Sequence, residues 1–563
     1  MALHEPGEGT ADACPPEALN QSPPLEEWNP YAQHRVLVEA VRREGAAWAE
    51  ERLLAFGALA GRRETIAWGF QANAHPPELR THDRAGERID EVEFHPAWHA
   101  LMSLGVDHGL HALPWRERRP GAQVARAALF LTLSQIEAGV GCPLSMTCSA
   151  VPALAVEPEL AAEWVPRLTS LVYDPRPLPA AQKKGALCGM AMTEKQGGSD
   201  VRANVTRARP LAPGRGGPGA EYEISGHKWF CSAPMCDAFL VLAQAPAGLS
   251  CFLVPRFTPG GERNRLRLQR LKDKLGNRSN ASSEIELDAA WGRLIGEEGR
   301  GLPAILEMVS HTRLDCCLGS AALMRQAVAQ AIHHCRHRRA FGRLLYDQPL
   351  MRNVLADLAL ESEAATVAVM RLARAYERAS HEREGPLRRL ATAVLKYWIC
   401  KRGAGHAAEA LECLGGNGYV EEWGMARLFR ETPLNSIWEG SGNVQCLDVL
   451  RALSRSPDSL AALLGEIELA RGADRRLDAS LARLRGELAR PPEVAEASAR
   501  RLVERLALAF QASLLLRHAP AAVAGAFCAS RLAGGEGAGL AYGTLPPDTD
   551  FAAILGRHDP AGG

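Results

Sequence analysis

The chain has 563 residues, which is enough for several domains with large buried cores. Its 65 lysine and arginine residues balance its 65 aspartate and glutamate residues, so the molecule as a whole is not a polycation. Any contact with nucleic acid therefore requires a local basic face.

The cysteine pattern and the apolar runs indicate the compartment. The 14 cysteines form no CxxC pair, and no cysteine or histidine group has zinc-like spacing. This favours buried thiols in a reducing cytosol over a disulfide scaffold or a metal site. No apolar run reaches the ~18 residues of a membrane span, and the acidic start is unlike a signal peptide. The sequence predicts a cytoplasmic protein that has no metal site and no membrane span.

The first third of the chain has a helical pattern. Residues 1–30 are rich in proline and glutamate and are predicted to form a mobile tail. Across residues 31–181 apolar positions recur at helical spacing, as in Val36–Trp48 and Ala122–Glu137. An N-terminal helical domain is therefore expected there.

Short apolar or alternating runs replace this pattern across residues 182–300. The predicted strands include Tyr222–Phe230, Phe239–Ala243, Cys251–Val254 and Ile285–Leu287. A stretch rich in glycine and proline at residues 210–220 separates two of these runs. Together they predict a compact central β-domain.

Helical periodicity returns after residue 300 in three long segments, Leu302–Arg336, Gln348–His381 and Leu387–Cys413. Their lengths predict an antiparallel bundle across residues 301–453. Residues 454–545 form a further helical block with an apolar stripe of leucines, and residues 546–563 are expected to be a tail. The fold class predicted is α+β with several domains.

Several motifs with chemical content follow one another along this framework. They are GMAMTEKQGGSD at Gly189–Asp200, SGHKWFCS at Ser225–Ser232, KLGNR at Lys274–Arg278, GEEGRG at Gly296–Gly301, RRAFG at Arg338–Gly342, LGGNGY at Leu414–Tyr419 and SIWEGSGN at Ser436–Asn443. In the last motif Glu439 lies between Trp438 and Gly440. An indole neighbour partly desolvates a carboxylate and raises its pKa, which suits a base near neutral pH.

In this order the motifs resemble those of the acyl-CoA dehydrogenase family of flavoenzymes, across roughly residues 90–453. TEKQGGSDV, RLKDKLGNRSNAS, NSIWEGSGN and the added C-terminal segment resemble its AidB-type branch, which is linked to the bacterial response to DNA alkylation. The resemblance implies a helical domain, a β-barrel or sandwich, a helical bundle and an extra helical domain. It also implies a homotetramer that binds FAD and acts on acyl-CoA.

The resemblance assigns Glu439 as the base that removes the α proton of an acyl thioester. The alternative interpretation is a loop carboxylate that caps a helix. It also implies an FAD site. The residues implied to contact FAD are Met192, Thr193, Ser199, Phe230, Ser232, Arg338, Phe341, Gln348, Glu412, Gly415, Gly416, Ser441 and Asn443. Taken singly, Phe230 and Phe341 are also compatible with ordinary core packing, and Arg338 with a solvated basic helix.

Three positions depart from the family pattern. Glu412 stands where most members have a glutamine near the FAD phosphates, and Ser310 stands where many have an aspartate on the acyl-CoA side. Trp438 replaces a smaller ring beside the base and narrows the acyl pocket. These departures weaken the case for a fast, long-chain dehydrogenase, and the AidB resemblance implies at most weak activity on short branched acyl-CoA such as isovaleryl-CoA.

The C-terminal block contains a local excess of arginine. Within residues 471–505 nine arginines face six acidic residues. The AidB resemblance associates this domain with double-stranded DNA, and separations of seven place Arg476, Arg483 and Arg490 on one helix face beside Arg475. The alternative is a solvated helix of mixed charge.

Three functions remain open at this point. The first is a flavoprotein of AidB type that binds DNA and has weak dehydrogenase activity. The second is an ordinary catabolic dehydrogenase that passes electrons to an electron-transfer flavoprotein. The third is a non-catalytic flavoprotein that shields DNA.

Overall fold

The computed structural model describes residues 19–212, 216–489, 496–533 and 541–561. In chain order it contains a helical region, a β-barrel and a second, larger helical region. The α+β architecture predicted from the sequence is confirmed.

The N-terminal region is mostly helical. Its helices are α1 (Arg35–Arg43), α2 (Glu50–Ala60), α3 (Arg63–Ala74), α4 (Pro96–Asp107), α5 (Leu113–Arg116), α6 (Ala122–Ile136), α7 (Gly141–Leu154) and α8 (Pro158–Leu168). An antiparallel hairpin interrupts them, formed by β1 (Glu78–His82) and β2 (Arg88–Glu93). The helical prediction for this region was wrong at the hairpin, because the two strands carry few apolar residues and are largely solvent-accessible.

Both chain ends differ from the expected tails. Trp28 is only 7% exposed, and the Ser22 hydroxyl lies 2.9 Å from Nδ1 of His334. Near the other end His558 is fully buried, with Nε2 3.0 Å from a carboxylate oxygen of Glu363. Ser22 and His558 are therefore packed on the second helical region, whereas Trp28 packs on the N-terminal helices, where its backbone N–H donates to the Gly61 carbonyl at 3.3 Å. Residues 1–18 of the expected N-terminal tail lie outside the described residues.

The central domain is a barrel. Its strands are β3 (Cys188–Ala191), β4 (Arg207–Pro210), β5 (Glu221–Ser232), β6 (Ala238–Ala245), β7 (Gly248–Pro255), β8 (Leu266–Leu271) and β9 (Ser282–Ile295). The pairing β6-β4-β5-β9-β7 closes because β7 also pairs with β6, while β3 joins β6 in parallel and β8 joins β9. The four strands predicted from alternation lie in β5, β6, β7 and β9. The flanking strand β3 packs on helix α7, and β8 packs on strand β1 of the N-terminal hairpin.

The second helical region begins with a bundle. Its elements are α9 (Gly301–His337), a short hairpin of β10 (Arg339–Ala340) and β11 (Arg343–Leu344), α10 (Pro349–Glu377), α11 (Glu384–Glu412), α12 (Gly416–Tyr419), α13 (Met425–Glu431) and α14 (Gly442–Arg455). The long helices α9, α10 and α11 pack on one another, and most of α9 is buried. The three long helices predicted from periodicity are confirmed.

The last helices pack directly on the bundle. They are α15 (Pro457–Glu468), α16 (Arg475–Leu488), α17 (Ala499–His518), α18 (Ala521–Arg531) and α19 (Phe551–Leu555). Buried ion pairs join them to α10: Arg371 lies 2.9 Å from Glu466, and Arg531 lies 3.2 Å from Glu361. The C-terminal helices are therefore joined to the bundle by packing and by ion pairs.

No helix in the described part of the chain is long and apolar enough to cross a membrane. Within the same residues, no group of three or more His, Cys, Asp or Glu side chains is arranged to hold a metal ion.

Candidate active site

A rigid turn after strand β3 carries the first predicted flavin contacts. Met192 and Thr193 are half-buried, and Ser199 is exposed. The next residue, Glu194, forms a fully buried ion pair with Lys228 of strand β5, with Nζ and Oε1 2.7 Å apart. The charged pair holds the turn against β5, and the backbone N–H of Trp229 donates to the Thr193 carbonyl at 2.8 Å. The sequence did not single out this ion pair.

Strand β5 presents an aromatic ring beside that turn. Phe230 is 48% exposed although its neighbour Cys231 is fully buried. Ser232, two residues further along the strand, is half-buried and points to the same face as Phe230. Core packing therefore does not account for Phe230, and this face of β5 offers an apolar surface for a planar ring.

The loop that carries Glu439 has an unusual backbone. Glu439 has φ +59° and Gly440 has φ +99°, and a positive φ is rare for a residue with a side chain. Lys396 donates to the carbonyls of Trp438 and Gly440 at 2.7 and 2.6 Å. Arg313 donates to the Glu439 carbonyl at 2.9 Å, so cations fix three successive carbonyls.

Gln445 adds to this framework from helix α14. Its side-chain amide donates to the carbonyls of Glu439 and Gly440 at 3.1 and 3.0 Å. Gly440 has φ +99°, and a Cβ there would lie 2.7 Å from that amide nitrogen, so glycine is strongly favoured at this position. The loop is therefore held in one conformation from three helices.

The electrostatics of Glu439 suit a base. Burial raises the pKa of its carboxyl, and the Thr312 hydroxyl and the charges of Arg313 and Lys396 oppose this rise without cancelling it. Among the described residues, Oε2 of Glu439 is buried without a hydrogen-bond partner. The carboxylate is thus available to a proton donor that the site admits.

Cys142 interacts electrostatically with Glu439 and with Ser232, a residue predicted to contact the flavin. Burial raises the pKa of the Cys142 thiol to about 12; the thiol also interacts with Asn280, Glu439, Lys274 and Ser232. Ser232 and Glu439 therefore share a neighbour although they are far apart in sequence. The structure brings the β-domain residues and Glu439 to one site.

The remaining predicted FAD residues form a second group. Gln348 donates to the Ala340 carbonyl at 2.9 Å and braces the β10–β11 hairpin, whose tip residue Phe341 is 97% exposed. Arg338 donates to the carbonyl of Asn20 at the base of the hairpin. The guanidinium is thus oriented by a segment that was expected to be a tail.

The glycine-rich segment lies beside the same N-terminal segment, since Asn417 donates to Gln21 at 2.9 Å. Gly415 has φ +60°, and a Cβ added to Gly415 or Gly416 would meet no atom within 4 Å. Both glycines therefore leave their backbone open to a ligand. Glu412 is exposed at the end of α11.

The last two predicted FAD residues lie at the start of α14. Ser441 is half-buried at its N-cap, and the side-chain oxygen Oδ1 of Asn443 accepts from Arg500 at 2.8 Å. Arg500 belongs to the C-terminal helices, so Asn443 is already engaged by the added domain.

The predicted arginine stripe is only partly present. Asp474 caps α16 and binds the Arg476 side chain at 2.6 Å, while Arg483 is exposed and donates to the Leu532 carbonyl. Arg475 is exposed, with no ion-pair partner among the residues described. Arg490 lies outside them.

Comparisons with known proteins show which family the chain is similar to. The family models that match are the adaptive response protein AidB N-terminal domain at residues 20–175, the acyl-CoA dehydrogenase middle domain at 189–290 and its C-terminal domain at 299–454. AidB of Escherichia coli (strain K12) is 48% identical over 512 residues, which cover 91% of this chain and 93% of that protein. The chain belongs to the acyl-CoA dehydrogenase family, in its AidB branch.

Other members of the family are also similar. Acyl-CoA dehydrogenase family member 11 of Caenorhabditis elegans is 31% identical over 80% of this chain and 75% of its own length. The solved structure of C. elegans ACDH-11 in complex with C11-CoA has a TM-score of 0.83 at 26% identity and covers 94% of both chains. The structure titled Bd2924 apo-form has a TM-score of 0.80 at 28% identity, over 89% of this chain and 99% of that one.

Family membership makes the protein an FAD-dependent oxidoreductase, and its residues fit the cofactor. The half-exposed ring of Phe230 offers an apolar face to the flavin, while Gly415 and Gly416 leave room for the FAD chain to approach the backbone. Arg338 is the cation assigned to the pyrophosphate. The sequence missed Lys396, Arg313 and Gln445, although a lone lysine inside the apolar run AVLKYWIC was a signal for Lys396.

Proposed function

We propose that the protein removes one hydrogen from each of the α and β carbons of a short branched acyl-CoA, of isovaleryl type, at a low rate. The observation that supports this most is the state of Glu439. Its backbone is fixed at a positive φ, its pKa is raised by burial, and its Oε2 has no partner among the described residues. A carboxylate held this way is suited to take a proton from an α carbon.

Each residue has a separate task in this proposal. Glu439 takes the α proton, and FAD, when bound, accepts the β hydrogen as hydride. Phe230 and Ser232 position the flavin face, and Lys396 and Arg313 position Glu439. The Trp438 indole donates to Asn435 at 3.0 Å, which fixes the ring beside the base and supports a narrow acyl pocket.

The test is anaerobic titration of the FAD-loaded protein with isovaleryl-CoA and longer acyl-CoAs while the flavin absorbance is recorded. The parent protein should be reduced, and isovaleryl-CoA should be the better substrate. Glu439→Gln should keep FAD and slow reduction at least ~100-fold, because the base is lost. Glu382→Gln, an exposed carboxylate, is the matched control and should leave the rate unchanged.

The outcomes separate the alternatives. Reduction of Glu439→Gln at the parent rate would show that the proton goes elsewhere. A parent protein that no acyl-CoA reduces would favour the non-catalytic flavoprotein. Rapid turnover with an electron-transfer flavoprotein would favour the ordinary catabolic enzyme.

We also propose a homotetramer in which FAD is completed across subunits. Large apolar side chains of the motif segments are exposed in the single chain: Phe341 is 97%, Tyr419 82% and Leu350 77% exposed. A contiguous exposed apolar surface is typical of an association surface, and a second subunit would cover these side chains. The separation of the FAD residues into two groups supports the same arrangement.

A second proposed activity is binding of double-stranded DNA in the alkylation response of the cytoplasm. Exposed Arg475 and Arg483 on α16 support it, since neither has an ion-pair partner among the described residues. Arg476 is a poorer candidate because Asp474 neutralises it. Contacts of this kind are to phosphate and do not read sequence.

The double variant Arg475→Gln/Arg483→Gln should therefore weaken binding of a random duplex about tenfold at low salt and flatten its salt dependence. Fluorescence anisotropy at several salt concentrations measures both. Arg485→Gln is the matched control on the same helix, because Glu468 already pairs with Arg485. Equal binding by the double variant and the parent would show that α16 is not the DNA surface.

A further inference from the structure

A cleft of about 470 Å³ lies between the N-terminal hairpin β1–β2 and strand β8 of the barrel. Its volume falls within the ~300–1,000 Å³ of typical small-molecule sites. Cys231, Phe239 and Ile285 contribute apolar surface to its lining. The flavin residues Phe230 and Ser232 alternate with Cys231 on β5, so the cleft lies on the opposite face of that strand.

The rest of the lining is strongly basic. The charged side chains that line it are five arginines and one carboxylate: Arg88, Arg256, Arg263, Arg265, Arg267 and Asp90. Three of the arginines are paired: Arg88 with Asp90, Arg263 with Glu91 and Arg267 with Asp288. In the described part of the chain, Arg256 and Arg265 have no carboxylate within ion-pair distance. The cleft therefore carries two cations without a direct ion-pair partner among the described residues, although the more distant carboxylates of Asp237 and Glu91 still attract Arg256.

Arg256 is the more desolvated of these two. Its guanidinium donates to two backbone carbonyls, Met235 at 3.2 Å and Asp90 at 3.4 Å, and these bonds are long. Burial lowers its pKa, although an arginine remains cationic at neutral pH. A desolvated cation of this kind gains more from an anionic partner than a surface arginine does.

Arg265 faces the same cleft from the start of the β8 segment and is exposed. No hydrogen bond of its guanidinium is formed with any described residue. It is therefore free to fold over an anion that Arg256 contacts, and two guanidinium groups provide the bidentate geometry that phosphate oxygens accept.

Asp90 provides the cleft with a hydrogen-bond acceptor. Its Oδ2 accepts from Arg88 at 2.8 Å, while Oδ1 is buried and has no partner within the described chain. Asp90 lies within β2, where the pairing with β1 is irregular, and has φ +45°. A buried acceptor without a donor is uncommon in native proteins, and a ligand hydroxyl or amino group would satisfy it.

We propose that this cleft binds a small phosphate ester that also carries hydroxyl or amino groups, the chemistry shared by a sugar phosphate and a nucleoside monophosphate. The phosphate lies against Arg256 and Arg265, and a hydroxyl or amino group donates to Asp90. This binding activity is separate from the dehydrogenase reaction and does not depend on it.

Isothermal titration of the FAD-loaded protein with ribose 5-phosphate, AMP, ribose and inorganic phosphate tests the proposal. Ribose 5-phosphate or AMP should bind saturably and at least tenfold more tightly than inorganic phosphate, and ribose should not bind. The tighter of the two esters identifies the sugar-phosphate or the nucleotide source.

Arg256→Gln and Arg265→Gln should each weaken binding of the ester about tenfold or more, because each removes a charge-assisted bond. Arg209→Gln is the matched control: Arg209 is an exposed arginine of strand β4 that does not line the cleft, so its variant should bind within twofold of the parent. The flavin absorbance of every variant reports that it is folded. Arg265 is exposed, so its variant keeps the test valid even if Arg256→Gln fails to fold.

Asp90→Asn separates the two halves of the proposal. Arg88 should retain the amide oxygen, which turns the amide nitrogen towards the cleft. This variant should bind the ester less tightly and inorganic phosphate more tightly. Absence of saturable ester binding up to millimolar concentration, inorganic phosphate binding as tight as the ester, or unchanged binding by Arg265→Gln would each overturn the proposal.

Discussion

Glu439 combines a strained backbone with a network that holds it there. A positive φ costs a residue with a side chain on the order of 1–3 kcal/mol, so surrounding contacts must fix it. Lys396 is the central contact, because its buried ammonium donates to the carbonyls on both sides of Glu439. No carboxylate lies within ion-pair distance of Lys396 among the described residues. We infer that Lys396 is a positioning residue.

Lys396→Met should therefore affect the rate and its pH dependence together. The loop loses two bonds, and misplacement of the base should slow flavin reduction about 10–100-fold. The charge of Lys396 lowers the pKa of Glu439, so its removal raises that pKa further. Because Glu439 must be ionised to act, the rise of the rate with pH should move to higher pH.

Single-turnover reduction by isovaleryl-CoA between pH 6 and pH 9 measures both effects. Lys401→Met removes an exposed lysine from the same helix and should shift neither quantity. A slower variant with an unmoved pH profile would mean that Lys396 supports the fold and has no influence on the base.

At the scale of elements, the end of helix α13 is joined to the KLGNR loop by a buried carboxyl. The backbone N–H of Asn277 donates to Glu431 at 2.7 Å, and Asn277 has φ +54°. Burial, followed by the nearby charge of Glu137, raises the pKa of Glu431 to about 7. We therefore expect the stability of the junction between bundle and barrel to depend on pH.

The direction of this dependence follows from proton binding. The folded protein keeps Glu431 protonated at pH values where the unfolded chain has lost that proton. This contribution to stability is fully present below the ordinary pKa of glutamate and is lost as pH rises through about 7. A shift of this size corresponds to roughly 3 kcal/mol.

Glu431→Gln should keep the bond to Asn277 and remove the titration. We compare the difference in melting temperature, variant minus parent, at two pH values. This difference should be larger at pH 8 than at pH 5. Thermal unfolding at the two pH values measures the difference, with exposed Glu422→Gln as the control. An equal gap at both pH values would contradict a titrating junction.

At the scale of the whole molecule, the described chain leaves apolar side chains uncovered in its cofactor motifs. Phe341 lies at the tip of a hairpin whose two strands have two residues each. Its φ is +51°, and its side chain is 97% exposed. Such a residue contributes little to the fold of one chain, and a second subunit or the cofactor accounts for it better.

Phe341→Ser should therefore leave each subunit folded but weaken both the proposed tetramer and FAD binding. Burial of one phenyl ring at a contact stabilises that contact by about 1.5–3 kcal/mol. Its loss should therefore lower the affinity at least tenfold. Light scattering after gel filtration and the ratio of flavin to protein absorbance measure the two effects. Leu469→Ser, at a 63% exposed leucine of the C-terminal helices, is the control. An intact yellow tetramer of Phe341→Ser would exclude the hairpin from the interface.

Local patterns were enough to predict much of this molecule. Alternating runs identified strands such as Tyr222–Phe230, and long apolar periodicity identified the bundle, because both depend on neighbouring residues. The glycine-rich motifs and WEG indicated the cofactor segments, since close approach and positive φ restrict residue type locally. Fold class, family and FAD followed from these segments.

Only the tertiary structure decided which charges are free and which are used. Lys396 donates to two carbonyls that are 42 and 44 residues away in the sequence. Arg500 donates to Asn443, which is 57 residues away. The β1–β2 hairpin is a further example. Its polar strands form a cleft with β8, and only the tertiary structure shows that cleft. Hydrogen bonds and ion pairs between distant residues leave no periodic trace in a single sequence. Their partners are set by how the elements pack.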